Sequence, residues 1–223
     1  MTRTPLCDRI LPNYTKAEEL FHMISHIAGG VFGITALILC VASAVSAHDP
    51  YAIVGSAIYG ASLIAMYAMS GIYHGLPAST AKKVMQVLDH CTIYFLIGGT
   101  YTPILLTAIR KVSPTTAWVL FSIVWGLAIL AATLTAIDLK KYAVFSMICY
   151  IFMGWCIVFA PKVTIAAIPS TGLWLLLAGG IVYTVGAILY GLGKKHRYMH
   201  GTFHLFVVAG SVLQFFCILF YVL

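Results

Sequence analysis

Between Lys162 and Lys194 the chain carries no charged residue at all, and shorter runs of the same kind fill most of the stretch from Phe21 to Leu223. About 20 such residues as a helix cross a hydrocarbon layer of roughly 30 Å. Inside that layer every backbone N–H and C=O must be paired within the protein, which leaves helical bundles and closed barrels. Barrel strands alternate apolar and polar residues, whereas these runs are continuously apolar, so the expected fold is an all-α bundle of transmembrane helices. Composition agrees: 61% of the residues are hydrophobic and 9% charged, against roughly 25% charged in a water-soluble domain.

Reading from one charged gap to the next gives seven segments: Phe21 to Ala47, Tyr51 to Leu76, Val87 to Ile109, Thr115 to Ile137, Tyr142 to Ala160, Gly172 to Leu192 and His200 to Leu223. The sixth boundary rests only on the turn residues Pro169, Ser170, Thr171 and Gly172. Residues 1–20 read as a tail and residues 21–223 as one seven-helix transmembrane domain. The tail has no apolar core, so the first helix, rather than a cleaved leader, is expected to direct insertion.

Lysine and arginine set the orientation. The tail and the second, fourth and sixth loops hold ten of them (Arg3, Arg9, Lys16, Lys82, Lys83, Lys140, Lys141, Lys194, Lys195, Arg197), and the opposite loops three (Arg110, Lys111, Lys162). That bias predicts a cytoplasmic N-terminus and an outside C-terminus. It also accounts for the formal net charge of +7, so no nucleic-acid partner is expected. The expected location is a cell membrane, crossed several times. The six cysteines (Cys7, Cys40, Cys91, Cys149, Cys156, Cys217) form no CxxC pair and read as small packing residues. Gly29 with Gly33 and Gly71 with Gly75 permit close helix packing. Tyr14, Tyr51, Tyr142, Trp174 and Tyr221 lie near helix ends, where aromatic belts are expected.

Ionisable groups inside apolar segments are expensive and mark candidate sites. Here they share one depth: Ser70 and His74 end the second segment, Asp89 and His90 open the third, His200 and His204 open the seventh, and Glu19, His22 and His26 open the first. His200 and His204, four apart, project from one helical face about 6 Å apart along the axis, a spacing that can chelate one ion. His74 could supply a third nitrogen, with the Ser70 hydroxyl one turn deeper. Three imidazoles with an open fourth position are the pattern of a catalytic zinc. Asp89 would orient or deprotonate water at that position. Glu19 and His26, seven apart, suggest a second polar cluster or cap, and His22, His90 and His196 read as interfacial. A bis-histidine haem wants opposed single histidines, and a di-iron site wants more carboxylates and an HxxHH box; neither pattern is present.

Ser70-xxx-His74, then Asp89-His90-Cys91 with Gly99-Thr100-Tyr101-Thr102-Pro103, then His200-xxx-His204 together resemble the bacterial hemolysin III proteins. These are relatives of the progestin and adiponectin receptors within a superfamily that includes alkaline ceramidases. The likeness spans nearly the whole chain, and Glu18-Glu19 and His26 match the bacterial pattern as well. It implies seven helices, an inside N-terminus and one Zn2+ on His74, His200 and His204, with Asp89 and Ser70 beside it. Gln214 departs from the pattern, since many relatives are expected to carry histidine there.

Three functions follow as expectations. The first is a zinc-dependent hydrolase of a lipid amide or ester, its substrate drawn from the surrounding membrane, with Asp89 and Ser70 as catalytic residues. The second is a noncatalytic receptor-like or membrane-homeostasis protein in which zinc staples the helices. The third is a pore-forming cytolysin, against which stands the scarcity of strongly polar side chains outside one end of the bundle.

Overall fold

The computed structural model describes residues 4–192 and 196–223, so Arg3, Lys194 and Lys195 of the charge count lie outside the described residues, as does the side chain of Cys7. The described chain is helical, and six of its helices are long and apolar enough to cross a membrane. We label them α1 (Lys16–Ser46), α2 (Pro50–Gly75), α3 (Thr80–Pro103, continued to Val112), α4 (Pro114–Ile137), α6 (Ser170–Leu192) and α7 (Met199–Tyr221). Between α4 and α6 lies a shorter apolar helix, α5 (Ala143–Gly154).

Several starts are written in the sequence. Asp49, Ser79 and Ser113 each accept backbone N–H groups of the first turn of α2, α3 and α4, and Pro50 and Pro114 occupy first positions where no N–H is needed. Helix α1 starts at Lys16, five residues before the apolar run, because Thr15 and Glu18 form a reciprocal capping box. Helix α3 likewise starts at Thr80, seven residues before the expected Val87. Charge marks where apolar sequence ends, but caps mark where helices end.

The fifth expected segment, Tyr142 to Ala160, is not one helix. Helix α5 stops at Gly154, a 3-10 turn follows over Cys156–Phe159, and a separate short helix runs over Pro161–Ala167. Tyr101 of α3 fills the break: its hydroxyl donates to the Gly154 carbonyl at 2.8 Å and accepts from the Ile157 N–H at 3.1 Å. Two residues on, Pro103 has no N–H to give, and the next six residues, Ile104–Ile109, form a π-helical turn.

Glycines bring the helices close. A Cβ on Gly29 would stand 2.5 Å from the Tyr67 ring, and one on Gly55 would stand 2.9 Å from the Cα of Pro103. The core is built from α2, α3, α4 and α7, with Tyr59, Leu63, Tyr67, Tyr94, Ile104 and Ile218 wholly buried. The outward face is equally apolar: Val31, Ile38, Val144 and Trp174 are each at least 60% exposed, as lipid-facing side chains are. Cys40, Cys91, Cys149, Cys156 and Cys217 are buried free thiols.

Candidate metal centre

The start of α1, the end of α2 and the starts of α3 and α7 meet at one end of the bundle. Glu18 helps to join them: besides capping α1 through Thr15, its carboxylate accepts the Tyr198 N–H at 3.0 Å. Tyr198 caps α7 in the left-handed region, at φ 59°, a conformation costing about 1–3 kcal/mol in a non-glycine residue. That contact fixes where α7 begins, and so which face carries His200 and His204.

Four imidazoles pack at the centre. His200 Nε2 lies 3.3 Å from His74 Nε2 and 3.1 Å from His204 Nε2. The His22 ring lies 4.7 Å from His74, 4.8 Å from His200 and 5.2 Å from His204, centroid to centroid. One nitrogen each from His22, His74 and His200 falls within a 4.8 Å group. The three expected ligands are neighbours, but the group whose nitrogens are spaced to share one ion holds His22 in place of His204; His22, wholly buried, is the residue that sequence reasoning placed at the interface. Its signal was readable: Glu19, His22 and His26 fall at the i, i+3, i+7 spacing of one helical face.

The hydrogen-bond partners assign the protons. His74 Nδ1 faces the Glu19 carboxylate at 2.6 Å, and a carboxylate only accepts, so that nitrogen carries the hydrogen and Nε2 keeps its lone pair. His204 Nδ1 points at the His22 carbonyl at 3.4 Å, with the same consequence for its Nε2. His200 Nε2 therefore stands between two acceptors, and one hydrogen on it can serve only one of them. Both nitrogens of His22, Nδ1 of His200 and the Ser70 hydroxyl are buried without a hydrogen-bond partner. Each such orphan costs about 1–3 kcal/mol. Converging lone pairs with unpaired donors and acceptors around them suit a cation, so the residues fit a metal ion.

Ser70 and Asp89, both buried, do not join the nitrogen cluster but open onto a cavity of about 150 Å³ that His200 and His204 also line. The rest of its wall is mainly apolar, with Ile97, Met147, Trp155 and Val207, interrupted by Thr100, Tyr101 and Thr184. His90 is another wall residue, its Nδ1 turned to the Gln86 carbonyl at 2.8 Å, while His196 is exposed. Gln214 also lines the cavity and donates to the Leu176 carbonyl at 3.0 Å.

The expected second polar cluster is not separate. Glu19 binds His74, and His26 stacks on His204 with ring centroids 3.6 Å apart. Tyr14, placed in an aromatic belt by sequence, instead stacks on His200 at 5.4 Å and meets His22 edge-on at 4.9 Å, closing the cluster from the tail side. Burial there pushes its phenol above the ordinary tyrosine range. The tail is tied down further back, where the Thr4 N–H donates to Asp138 at 2.9 Å and Arg9 to the Ile137 carbonyl at 2.9 Å.

Comparison with known proteins agrees in extent and in kind. Residues 14–215 match the family model described as Haemolysin-III related. The chain is 39% identical to Hemolysin-3 of Bacillus cereus over 206 residues, covering 92% of each chain. It is 35% identical to a Hemolysin-3 homolog of Bacillus subtilis, covering 93% of this chain and 96% of that one. No solved structure matches.

Proposed function

The chain belongs to the haemolysin-III-related family of multi-pass membrane proteins, and we propose that it is a zinc-dependent hydrolase acting on an amide or ester bond of a membrane lipid. The observation that carries this reading is the junction of two features: His200 and His204 belong both to the nitrogen cluster and to the wall of a cavity whose lining is otherwise mainly apolar. A lipid would lie with its linkage at the histidines and its chain among Ile97, Met147 and Val207.

His74, His200 and His204 would hold the ion, which supplies a Lewis acid for the scissile carbonyl. Asp89 accepts a proton from the attacking water and returns it to the leaving group. The Ser70 hydroxyl, without a partner in the protein, is free to donate to the reacting oxygen. The apolar wall excludes bulk water from the rest of the site. The same proposal takes the segment 143–159, helix and 3-10 turn together, as a seventh crossing, with the N-terminus in the cytoplasm and the protein in the inner cell membrane, in line with the ten-to-three lysine and arginine bias.

One observation favours a second reading. A structural zinc closes its shell with four protein ligands, and His22, grouped with His74 and His200 and with its ring 5.2 Å from that of His204, makes a set of four imidazoles. In that case the ion staples α1, α2 and α7 and performs no chemistry, as in a receptor-like protein. Metal analysis of the detergent-purified chain beside His74→Ala, His200→Ala and His204→Ala, followed by hydrolysis of ceramides and other lipid amides by wild type and Asp89→Asn, separates the readings. Bound zinc with hydrolysis lost in Asp89→Asn is expected. Bound zinc with no hydrolysis, lost again in His22→Ala, selects the staple, and a wild type that takes up no zinc sinks both.

A further inference from the structure

The contact that turns His74 toward the cluster is itself held. Glu19, on the first turn of α1, divides its carboxylate: Oε2 accepts from His74 Nδ1 at 2.6 Å and Oε1 accepts from Lys82 Nζ at 2.6 Å. Lys82 is anchored in turn, donating to the Leu76 carbonyl at 2.9 Å and lying 5.2 Å from the centroid of the Tyr73 ring. The chain of contacts is buried at both ends, with the His74 side chain 0% and the Lys82 side chain 6% exposed. A lysine on the first turn of a helix usually extends into water. Its burial against a carboxylate and a carbonyl needs a reason beyond solubility.

We infer that Glu19, braced by Lys82, is a positioning residue of the metal centre that fixes the tautomer and ring orientation of His74. This rests on the metal reading given above. Imidazole has one lone-pair nitrogen when neutral, and it can be directed only by deciding where the hydrogen goes. Glu19 decides it, leaving Nε2 toward His200. A carboxylate behind a ligating histidine also makes that ligand a better donor. Lys82 keeps the carboxylate from swinging away, because its ammonium is fastened to the α2–α3 turn through Leu76. Three helices are thereby set around one ring: α1 through Glu19, α2 through His74 and α3 through Lys82.

The test is zinc affinity of the full-length, metal-stripped chain in detergent, measured against a competing chelator, together with the visible spectrum of the cobalt(II)-loaded protein. Glu19→Gln is expected to weaken zinc binding about 10–100-fold and to shift the cobalt bands, because the donor set is reoriented. Glu19→Asp is expected to recover part of both. Lys82→Met, which leaves the Glu19–His74 pair in place, is expected to lose about tenfold, the low end of the same range. Wild-type affinity and an unchanged cobalt spectrum in Glu19→Gln, with only the thermal midpoint lowered, overturns the inference and makes the contact an ordinary ion pair. Should Glu19→Gln not fold, Lys82→Met decides by the same two readings. A wild type that binds neither zinc nor cobalt overturns the metal reading itself, a result distinct from wild-type binding that Glu19→Gln leaves untouched.

Discussion

The two ends of this bundle solve opposite problems. At the end where α2 begins, helices touch through glycine and proline, as at Gly55 against Pro103, and the charged groups are matched: Asp49 caps α2 and faces Lys111 at 3.4 Å, and the Arg110 guanidinium lies 3.7 Å from the centroid of the Tyr51 ring. At the end where α1 begins, three imidazoles, His22, His26 and His200, and the Ser70 hydroxyl are buried with atoms unpaired. Packing serves stability at the first end. Unpaired buried hydroxyls also occur toward the first end, on Ser56, Tyr59 and Thr107, but among the described residues the unpaired imidazole nitrogens gather at the second, the pattern expected of a site rather than of a core.

The largest expected effect is therefore confined to one end. With zinc at about a thousand times its dissociation constant, the loaded wild type is expected to gain about 4 kcal/mol over the stripped protein. His200→Ala is expected to abolish that gain and to lower the midpoint of the stripped protein by less than the zinc-dependent shift, since it gives up the Tyr14 stack and the Nε2 contacts while Nδ1 has no partner to lose. Thermal unfolding with and without zinc reads both. A stripped variant that collapses would mean the imidazoles are core after all.

The converse holds across the bundle. A Cβ at Gly55 meets the Cα of Pro103 at 2.9 Å and its N at 3.2 Å, backbone atoms that cannot turn aside. Gly55→Ala is expected to destabilise by about 1–3 kcal/mol with zinc content unchanged. Zinc lost along with stability would show that the two ends are not independent. Smaller, and opposite in sign, is Ser70→Ala. Removing a buried hydroxyl that has no partner is expected to raise the stability of the stripped protein by about 1 kcal/mol, while zinc stays bound. A loss instead would mean that the hydroxyl is satisfied without an ion.

The same contrast explains what could be read from sequence. Helical class and the depth shared by His74, Asp89, His200 and His204 are local or periodic signals, and they are legible; the caps at Asp49, Ser79 and Ser113 are local too, but segments bounded by charge pass over them. The assignment of His22 to the interface failed because charge gaps place α1 from Phe21, whereas the capping box starts it at Lys16 and carries His22 inward. The break after Gly154 is invisible in an apolar run whose defect is repaired by Tyr101 from another helix. Glu19 with Lys82 is likewise a pairing 63 residues apart, which no spacing rule reaches.

Asp138 sharpens the comparison at the site's own end of the bundle, because it is a polar group there whose two oxygens both have partners. The Thr4 and Lys141 N–H groups donate to its two oxygens at 2.9 and 3.1 Å, and these bonds, helped by nearby Arg9, hold its carboxyl down at about 2. A carboxyl with a lowered folded-state value stabilises fully above its unfolded value of about 4 and loses that contribution as pH falls through about 2. Asp138→Asn is accordingly expected to lower the thermal midpoint at pH 6, with the difference from wild type shrinking between pH 4 and pH 2. Because the bond it breaks tethers the tail, pepsin at pH 3 is also expected to cut the segment before Thr15 sooner in the variant than in wild type. Equal cutting would place the hold on the tail in Tyr14 and its histidines instead, and so join the tail to the metal site rather than to the turn after α4.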